Sequence, residues 1–345
     1  MPNLLKINKK IKPFKKQIIV DGDKSLSIRW ALMASQANGK SKAYKLLKSE
    51  DVLNTLKCLS KLGVKVNIKN HHCEITGKGP DGFVYKKGLT LNAGNSGTLG
   101  RLILGLLIHS KKKIKLVGDK SLSKRDFSRI TIPLQKFGAK ITSNSNKRLP
   151  ITIISSGKIK PINYFESRGS AQCKSSVMLA ALNTTGKTYI KAKKSRNHSE
   201  LLFKYLKIKM KIKKNKKFDF IEIEGKQKIK PFNYIIPGDI SSSAFFIVLT
   251  TLTKNSELLI KDVNINPSRI GVIKILKKMK AKILFKNKRI YRGEKIADIL
   301  IKSSINLKAI NCPAKFNSSA IDEFLIIFLA AAKAKGISYF KDISE

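Results

Sequence analysis

The sequence predicts an α/β chain made of repeated modules, each about 72 residues long and carrying two helices and several strands. Two interleaved sets of segments recur at that spacing, and 345 residues suggest about two domains to hold them. The first set pairs a small polar segment with an apolar helix. In chain order it reads DKSLSIRWALMASQ (23–36), NSGTLGRLILGLLI (95–108), SAQCKSSVMLAAL (170–182), SSSAFFIVLTTL (241–252) and IDEFLIIFLAAAKA (321–334). Ser25, Ser96, Ala171, Ser242 and Asp322 are 71, 75, 71 and 80 residues apart. Apolar residues in each segment recur at helical spacing.

The second set is an amphipathic helix, a short hinge and a strand: LSKLGVKV (59–66), LQKFGAKI (134–141), FKYLKIKMKI (203–212) and LKKMKAKI (276–283). Aligning Gly63, Gly138, Lys209 and Lys280 gives steps of 75, 71 and 71. Gly63 and Gly138 suit the residue past a helix end, where a left-handed backbone is wanted. Stretches such as KKIKLVG, PITIISS and DFIEIEG supply the strands. The chain holds five helices of the first set and four of the second. The hexapeptide GDKSLS occurs at 22–27 and again at 118–123, but these copies are 96 residues apart and out of phase. The in-phase relative of the first copy is GDISSS (238–243), 216 residues on, or three modules. The spacing therefore predicts a three-module domain over 22–234, and a second domain formed by 1–21 with 235–345.

Lys and Arg number 71 against 22 acidic residues, a net charge of +49. Only ten of these are Arg, and Lys is spread evenly, as in KIKMKIKKNKK (207–217). Nucleic-acid binders usually need arginine forks and interleaved aromatics, whereas here lysine is spread evenly over strands and linkers, so no nucleic-acid partner is expected. The apolar runs LILGLLI and FLIIFLAAA are far shorter than the roughly 20 residues of a membrane span, and no apolar leader follows the basic N-terminus. Four scattered Cys without CxxC pairing, and four His, form no metal set and suggest a reducing, cytoplasmic setting.

The helix starts carry the chemistry. A helix N-terminus presents free N–H groups and partial positive charge, which suits anions. Hydroxyls at Ser25, Ser96, Thr98, Ser170 and Ser241, with charges at Lys24, Arg29, Arg101 and Arg125, would complete such sites. Seven of the ten arginines (29, 101, 125, 129, 168, 196, 269) lie in or beside these segments or their second-set counterparts. Arginine's planar fork matches carboxylate and phosphate. The plain alternative for any one segment is ordinary N-capping by Ser or Asp; five in phase, with arginine, favour anion binding.

The chain resembles the EPSP synthase family, the 3-phosphoshikimate 1-carboxyvinyltransferases, along nearly its whole length. The resemblance rests on GDKSLSIR (22–29), LNAGNSGTLGRL (91–102), GDKSLSKRDFSR (118–129), SAQCKSS (170–176), SRNHSE (195–200), PGDISSSAFF (237–246), NPSRIG (266–271) and IDEFLIIFLAAA (321–332). It departs at Asp21, where the family usually has Pro, and at Ile28, where it usually has His. The resemblance implies two domains of three βαβαββ-type units each, closing on substrate like a clamp. The implied reaction moves enolpyruvyl from phosphoenolpyruvate to the 5-hydroxyl of shikimate 3-phosphate and releases phosphate. It implies a monomer with no metal and no organic cofactor. By motif position, Lys24, Ser25, Arg29, Ser170, Ala171, Gln172 and Ser195 would hold shikimate 3-phosphate. Lys24, Gly97, Arg125 and Gln172 would hold phosphoenolpyruvate. Asp322 would take the 5-hydroxyl proton, and its plain alternative is a helix N-cap.

The family's KESDR-type segment, with its general acid, should follow the last helix, but the chain ends at YFKDISE. Six modules would give roughly 430 residues, about 85 more, so the second domain is expected to be incomplete and the chain inactive alone. Two other readings remain. One is the sister enzyme that acts on UDP-N-acetylglucosamine, which usually carries a reactive Cys near 118–125; this chain has none there. The other is a non-catalytic basic anion-binding protein.

Overall fold

The computed structural model describes residues 6, 8–70, 72–144 and 147–343. The chain divides into a larger compact unit, Asp21–Pro237 with Arg292–Glu294, and a smaller one. The smaller unit takes the residues up to Val20, Gly238–Tyr291, and those from Lys295 on.

Strand β1 (Lys15–Ile19) opens the smaller unit, and the larger unit begins with α1 (Lys24–Ser35). Its first module continues through β2 (Asn38–Tyr44), α2 (Glu50–Lys61), β3 (Lys65–Ile68) and β4 (His72–Lys78). The second module is β5 (Leu89–Asn92), α3 (Gly97–Leu106), β6 (Ile114–Val117), the short α4 (Lys120–Ser123), α5 (Ser128–Phe137), β7 (Ala139–Asn144) and β8 (Arg148–Ser155). The third is β9 (Asn163–Glu166), α6 (Ala171–Asn183), β10 (Lys187–Lys193), α7 (His198–Tyr205), β11 (Met210–Lys214) and β12 (Phe218–Glu224). Strand β13 (Asn233–Ile235) returns to pair in parallel with β2, giving the first module the strand it lacked.

Each module is thus a βαβαββ unit with one four-stranded sheet, and all three sheets share one topology. The strand orders are β13-β2-β4-β3, β5-β6-β8-β7 and β9-β10-β12-β11. The first pair is parallel and the next two are antiparallel in every case. Helices of the first set form the interior. In α1 every residue from Leu26 to Ser35 is buried, and in α6 every residue from Cys173 to Asn183. A helix apolar or small on all sides has no solvent face to keep, so it belongs in a core. The second-set helix α2 instead buries Val52, Thr55, Leu56, Cys58 and Leu59, one stripe at helical spacing.

The smaller unit repeats the plan. It contains α8 (Ile240–Leu252), β14 (Glu257–Asn264), α9 (Gly271–Lys278), β15 (Lys282–Tyr291) and β16 (Glu294–Lys302). Its four-stranded sheet has the order β1-β14-β16-β15, with β1 parallel to β14. A further parallel pair, β17 (Asn311–Cys312) with β18 (Tyr339–Phe340), brackets α10 (Asn317–Ala320) and α11 (Phe324–Ala332). Its core gathers Ile240, Ile247, Ile260, Leu276, Ile299 and Ile327 around α8, α9 and α11.

The hinge after each second-set helix uses a left-handed residue. These are Gly63 (φ 81°), Gly138 (φ 111°), Lys207 (φ 57°) and Lys280 (φ 73°). In the third module it is Lys207, two residues before the Lys209 on which the sequence was aligned; Lys209 leads straight into β11. A run of lysines carries no glycine to mark the turn, so the register slipped there.

Candidate functional site

The five first-set helices start where small polar residues place them, and capping is part of the reason. In α1, the Asp23 carboxylate accepts from the Leu26 N–H at 2.9 Å. In α3, Ser96 Oγ accepts from the Leu99 N–H at 3.2 Å, and in α6 Ser170 Oγ accepts from the Cys173 N–H at 3.2 Å. Capping thus explains Asp23, Ser96 and Ser170 in part; it does not explain the charges gathered beside them.

Gly97 is the first residue of α3. A Cβ built on it would lie 3.0 Å from Arg125 Nη1 and 3.2 Å from Arg101 Nη1, so two guanidiniums close on bare backbone. Arg101 Nη1 donates to Gln172 Oε1 at 2.5 Å, and Gln172 Nε2 donates to Thr98 Oγ1 at 3.0 Å. The guanidinium of Arg101 also lies 5.5 Å from the centre of the Phe127 ring. Burial lowers the Arg101 pKa, and the neighbouring charges of Arg125 and Arg129 lower it further. Of these three arginines, Arg129 is matched by Glu166 at 3.0 Å. Among the described residues neither Arg101 nor Arg125 has a carboxylate partner. Positive charge in excess at a helix N-terminus is a standing demand for an anion.

The expected residues on α1 are placed differently. Arg29 is buried; its Nε donates to Ser199 Oγ at 2.9 Å, Nη1 to the Ser25 carbonyl at 3.1 Å and Nη2 to Ser175 Oγ at 3.4 Å. Lys24, half exposed, pairs with Asp51 at 3.1 Å. Ser195 lies just before α7, and its Oγ is buried without a hydrogen-bond partner. Ala171 is the first residue of α6, beside Gln172. Gly97, Arg125 and Gln172 therefore form one cluster through Arg101, whereas Lys24, Ser25 and Arg29 join α1 to Asp51, Ser175 and Ser199.

The two GDKSLS copies separate in detail. Ser27 Oγ donates to the Asp23 carbonyl at 2.8 Å, and in GDISSS Ser243 Oγ donates to the Asp239 carbonyl at 2.8 Å. The out-of-phase copy forms only the four-residue α4, capped by Asp119 on Leu122 N at 2.7 Å. There Asp119 also accepts from Asn95 Nδ2 at 2.6 Å, tying the second copy to the loop that precedes Gly97.

In the smaller unit, Asp322 precedes α11 with its side chain 48% exposed. It does not cap that helix: the N-cap position is Glu323, with no side-chain capping bond, so the N-cap alternative for Asp322 falls away. Buried Arg269 Nη2 lies 3.9 Å from each of Asp239, Asp322 and Glu323, and donates to Ser241 Oγ at 2.6 Å. Ser241 Oγ in turn donates to Glu323 Oε1 at 2.5 Å. One guanidinium thus holds the starts of α8 and α11 and sets a positive charge beside the Asp322 carboxylate.

The spacing marks Arg101 as an anion-binding charge and places Arg269 beside a helix start, but neither is among the residues that the resemblance assigns to a substrate. The signal for Arg101 was its position four residues after Gly97 on one helix, which brings both to the same face. Arg269 carried no such local mark. Glu166, which holds Arg129 and accepts from the Ser170 N–H at 2.8 Å, was missed. The four thiols are buried, and burial pushes Cys173 up despite the nearby serine and arginines, so it is no ready nucleophile. Among the described residues no group of three or more His, Cys, Asp or Glu could hold a metal ion, and no helix is long and apolar enough to cross a membrane.

The model of the EPSP synthase (3-phosphoshikimate 1-carboxyvinyltransferase) family matches residues 8–345. A 3-phosphoshikimate 1-carboxyvinyltransferase of Thermoanaerobacter sp. (strain X514) is 39% identical over 341 residues, 98% of this chain and 79% of that protein. One from Ruthia magnifica is 43% identical over 328 residues, 94% of this chain and 74% of its own length. The solved EPSP synthase of Acinetobacter baumannii superposes with a TM-score of 0.84 at 38% identity, covering 94% of this chain and 73% of that one. With its repeated βαβαββ modules and arginine-lined helix start, the chain belongs to the EPSP synthase family of transferases.

Proposed function

We propose that this chain transfers enolpyruvyl from phosphoenolpyruvate to the 5-hydroxyl of shikimate 3-phosphate, releasing phosphate. The observation that carries the reading is the pair of guanidiniums, Arg101 and Arg125, set against Gly97 with Asp126 and Asp119 acting on them only from beyond salt-bridge distance. Phosphoenolpyruvate brings a phosphate and a carboxylate, and arginine forks bind both in two-point fashion. Gly97, Arg125, Gln172 and Lys24 are its proposed contacts. Lys24, Ser25, Arg29, Ser170, Ala171, Gln172, Ser195 and Asp322 are the proposed contacts of shikimate 3-phosphate.

Addition to the enol ether requires a base at the attacking hydroxyl and an acid at the methylene carbon. Asp322 supplies the base: its carboxylate is half exposed and lies 3.9 Å from Arg269. The partnerless Ser195 Oγ is a buried polar atom that a ligand oxygen would satisfy. In this reading both substrates are small molecules, and the chain is a monomer of the cytoplasm. Its domains in this reading are 22–234, and 1–21 with 235–345.

The experiment is calorimetric titration with shikimate 3-phosphate, then with phosphoenolpyruvate, and separately with UDP-N-acetylglucosamine. Binding of shikimate 3-phosphate that phosphoenolpyruvate strengthens supports the reading. Heat with the sugar nucleotide alone would transfer the chain to the sister specificity. Indiscriminate binding of all three would reduce it to a basic anion binder.

A further inference from the structure

We propose that the outer face of the β9-β10-β12-β11 sheet is a docking surface for single-stranded nucleic acid. The sheet brings aromatics and lysines from different strands into adjacent positions. The register places Phe165, Lys191, Phe220 and Lys213 in one row, and Asn163, Tyr189, Glu222 and Lys211 in the next. Phe165 is 53% exposed, Tyr189 47% and Phe220 40%, while Ile190, Ala192, Ile221 and Ile223 on the opposite face are buried. The Lys191 ammonium lies 5.1 Å from the Phe165 ring centre, 4.8 Å from Phe218 and 6.0 Å from Phe220. A basin of about 540 Å³ lies over these residues.

The sibling sheets are an internal control. Their matching rows are Asn233–Lys42–Glu74–Asn67 and Thr90–Lys115–Thr152–Thr142. The central lysine recurs in all three, so it belongs to the module. Rings on both sides of that lysine occur only in the third; the first sheet has one exposed ring on this face, Tyr44, against His72 in the next row, so the ring cluster around the lysine is what sets the third apart. Lys191 and the edge-to-face contact of Phe165 with Phe218 cover the rings only in part, and three half-exposed rings on one sheet face make an apolar patch of the kind that marks a binding surface.

The charge selects the occupant. A second copy of this chain would set Lys191, Lys211 and Lys213 against their own images, in a protein of net charge +49, and like charges at close range oppose that contact. The occupant must be anionic and must offer flat faces to the rings. Single-stranded nucleic acid offers both at every residue, since bases stack on aromatics while lysines follow the phosphates.

The test is fluorescence anisotropy of a labelled oligouridylate of about 12 nucleotides, titrated with the full chain between about 50 and 200 mM salt. Phe165→Ala with Phe220→Ala removes rings and no charge. It should weaken binding about tenfold or more and leave the salt slope unchanged. Lys115→Ala with Lys140→Ala, on a sibling sheet, should lower affinity far less. Both phenylalanines point to solvent, so the double variant should melt with the parent; Tyr189→Ala gives an independent reading if it does not. Unchanged affinity in the ring variants would overturn the proposal, as would equal competition by duplex DNA, which indicates charge alone. Tighter binding of an acidic aromatic peptide, or self-association lost in the ring variants, would also overturn it in favour of a protein occupant.

Discussion

Arg125 Nη1 stands 3.0 Å from the point where a side chain on Gly97 would begin. The missing Cβ is what lets the guanidinium lie over the first turn of α3, where N–H groups and charge can grip one anion together. Gly97→Ala should therefore fold normally, because the atoms it meets are the far ends of two flexible side chains, Arg125 and Arg101. It should weaken phosphoenolpyruvate binding about tenfold or more, since both forks must retreat from the helix start. Titration with phosphoenolpyruvate in the presence of shikimate 3-phosphate measures this. Parent-like affinity would show that the anion sits elsewhere.

Lys24 and Lys120 occupy the same place in two identical hexapeptides, but only Lys24 opens a full first-set helix. Lys24→Ala should weaken shikimate 3-phosphate binding by about 10- to 100-fold, the usual loss for one charge-assisted contact. Lys120, exposed on the four-residue α4, should be nearly neutral on replacement. Equal losses would mean that the two copies contribute alike.

The modular plan was legible because helix period and strand alternation are local properties, repeated at nearly constant spacing. What was not legible came from contacts distant in sequence. Strand β13 joins β2 across some 190 residues, and no local pattern marks Asn233–Ile235 as the first module's missing strand. Motif position points to Gly97, Arg101, Arg125 and Gln172, but not to the Arg101–Gln172 and Gln172–Thr98 hydrogen bonds that tie α3 to α6. The hydrogen bonds of buried Arg29 to Ser175 and Ser199, 146 and 170 residues on, carry no local mark either. The turn at Lys207 was missed because left-handed lysine carries no mark that left-handed glycine does.

Lys174 lies in the SAQCKSS motif, beside the residues proposed to bind substrate, yet its ammonium is fully buried, 2.5 Å from Glu200 Oε1. The pair fastens α6 to α7. Removing one partner strands the other charge in the core, so Lys174→Met should cost about 3–5 kcal/mol of stability. Replacing both with apolar residues of similar volume should recover most of it. Urea unfolding of the three proteins decides the matter. A single variant as stable as the parent would show that water reaches Glu200.

Burial pushes the Cys58 thiol up from 9.0 to about 11, and pushes Cys73 up to about 12. In the unfolded chain both ionise near the ordinary value, so above pH 9 the unfolded state sheds protons that the folded state keeps. Stability from these thiols is fully present below that pH and is lost as pH rises toward 11 and 12. For Cys58 alone the loss by pH 11 is about 2–3 kcal/mol. Deprotonating lysines relieves the +49 charge over the same range and acts in the opposite direction. The thiol effect is therefore read as a difference between proteins. Cys58→Ala lacks the titrating group: it should melt below the parent at pH 8, and the gap should narrow steadily from pH 9 to 11. A gap that stays constant across that range would show that the Cys58 thiol ionises as freely in the folded protein as in the unfolded chain.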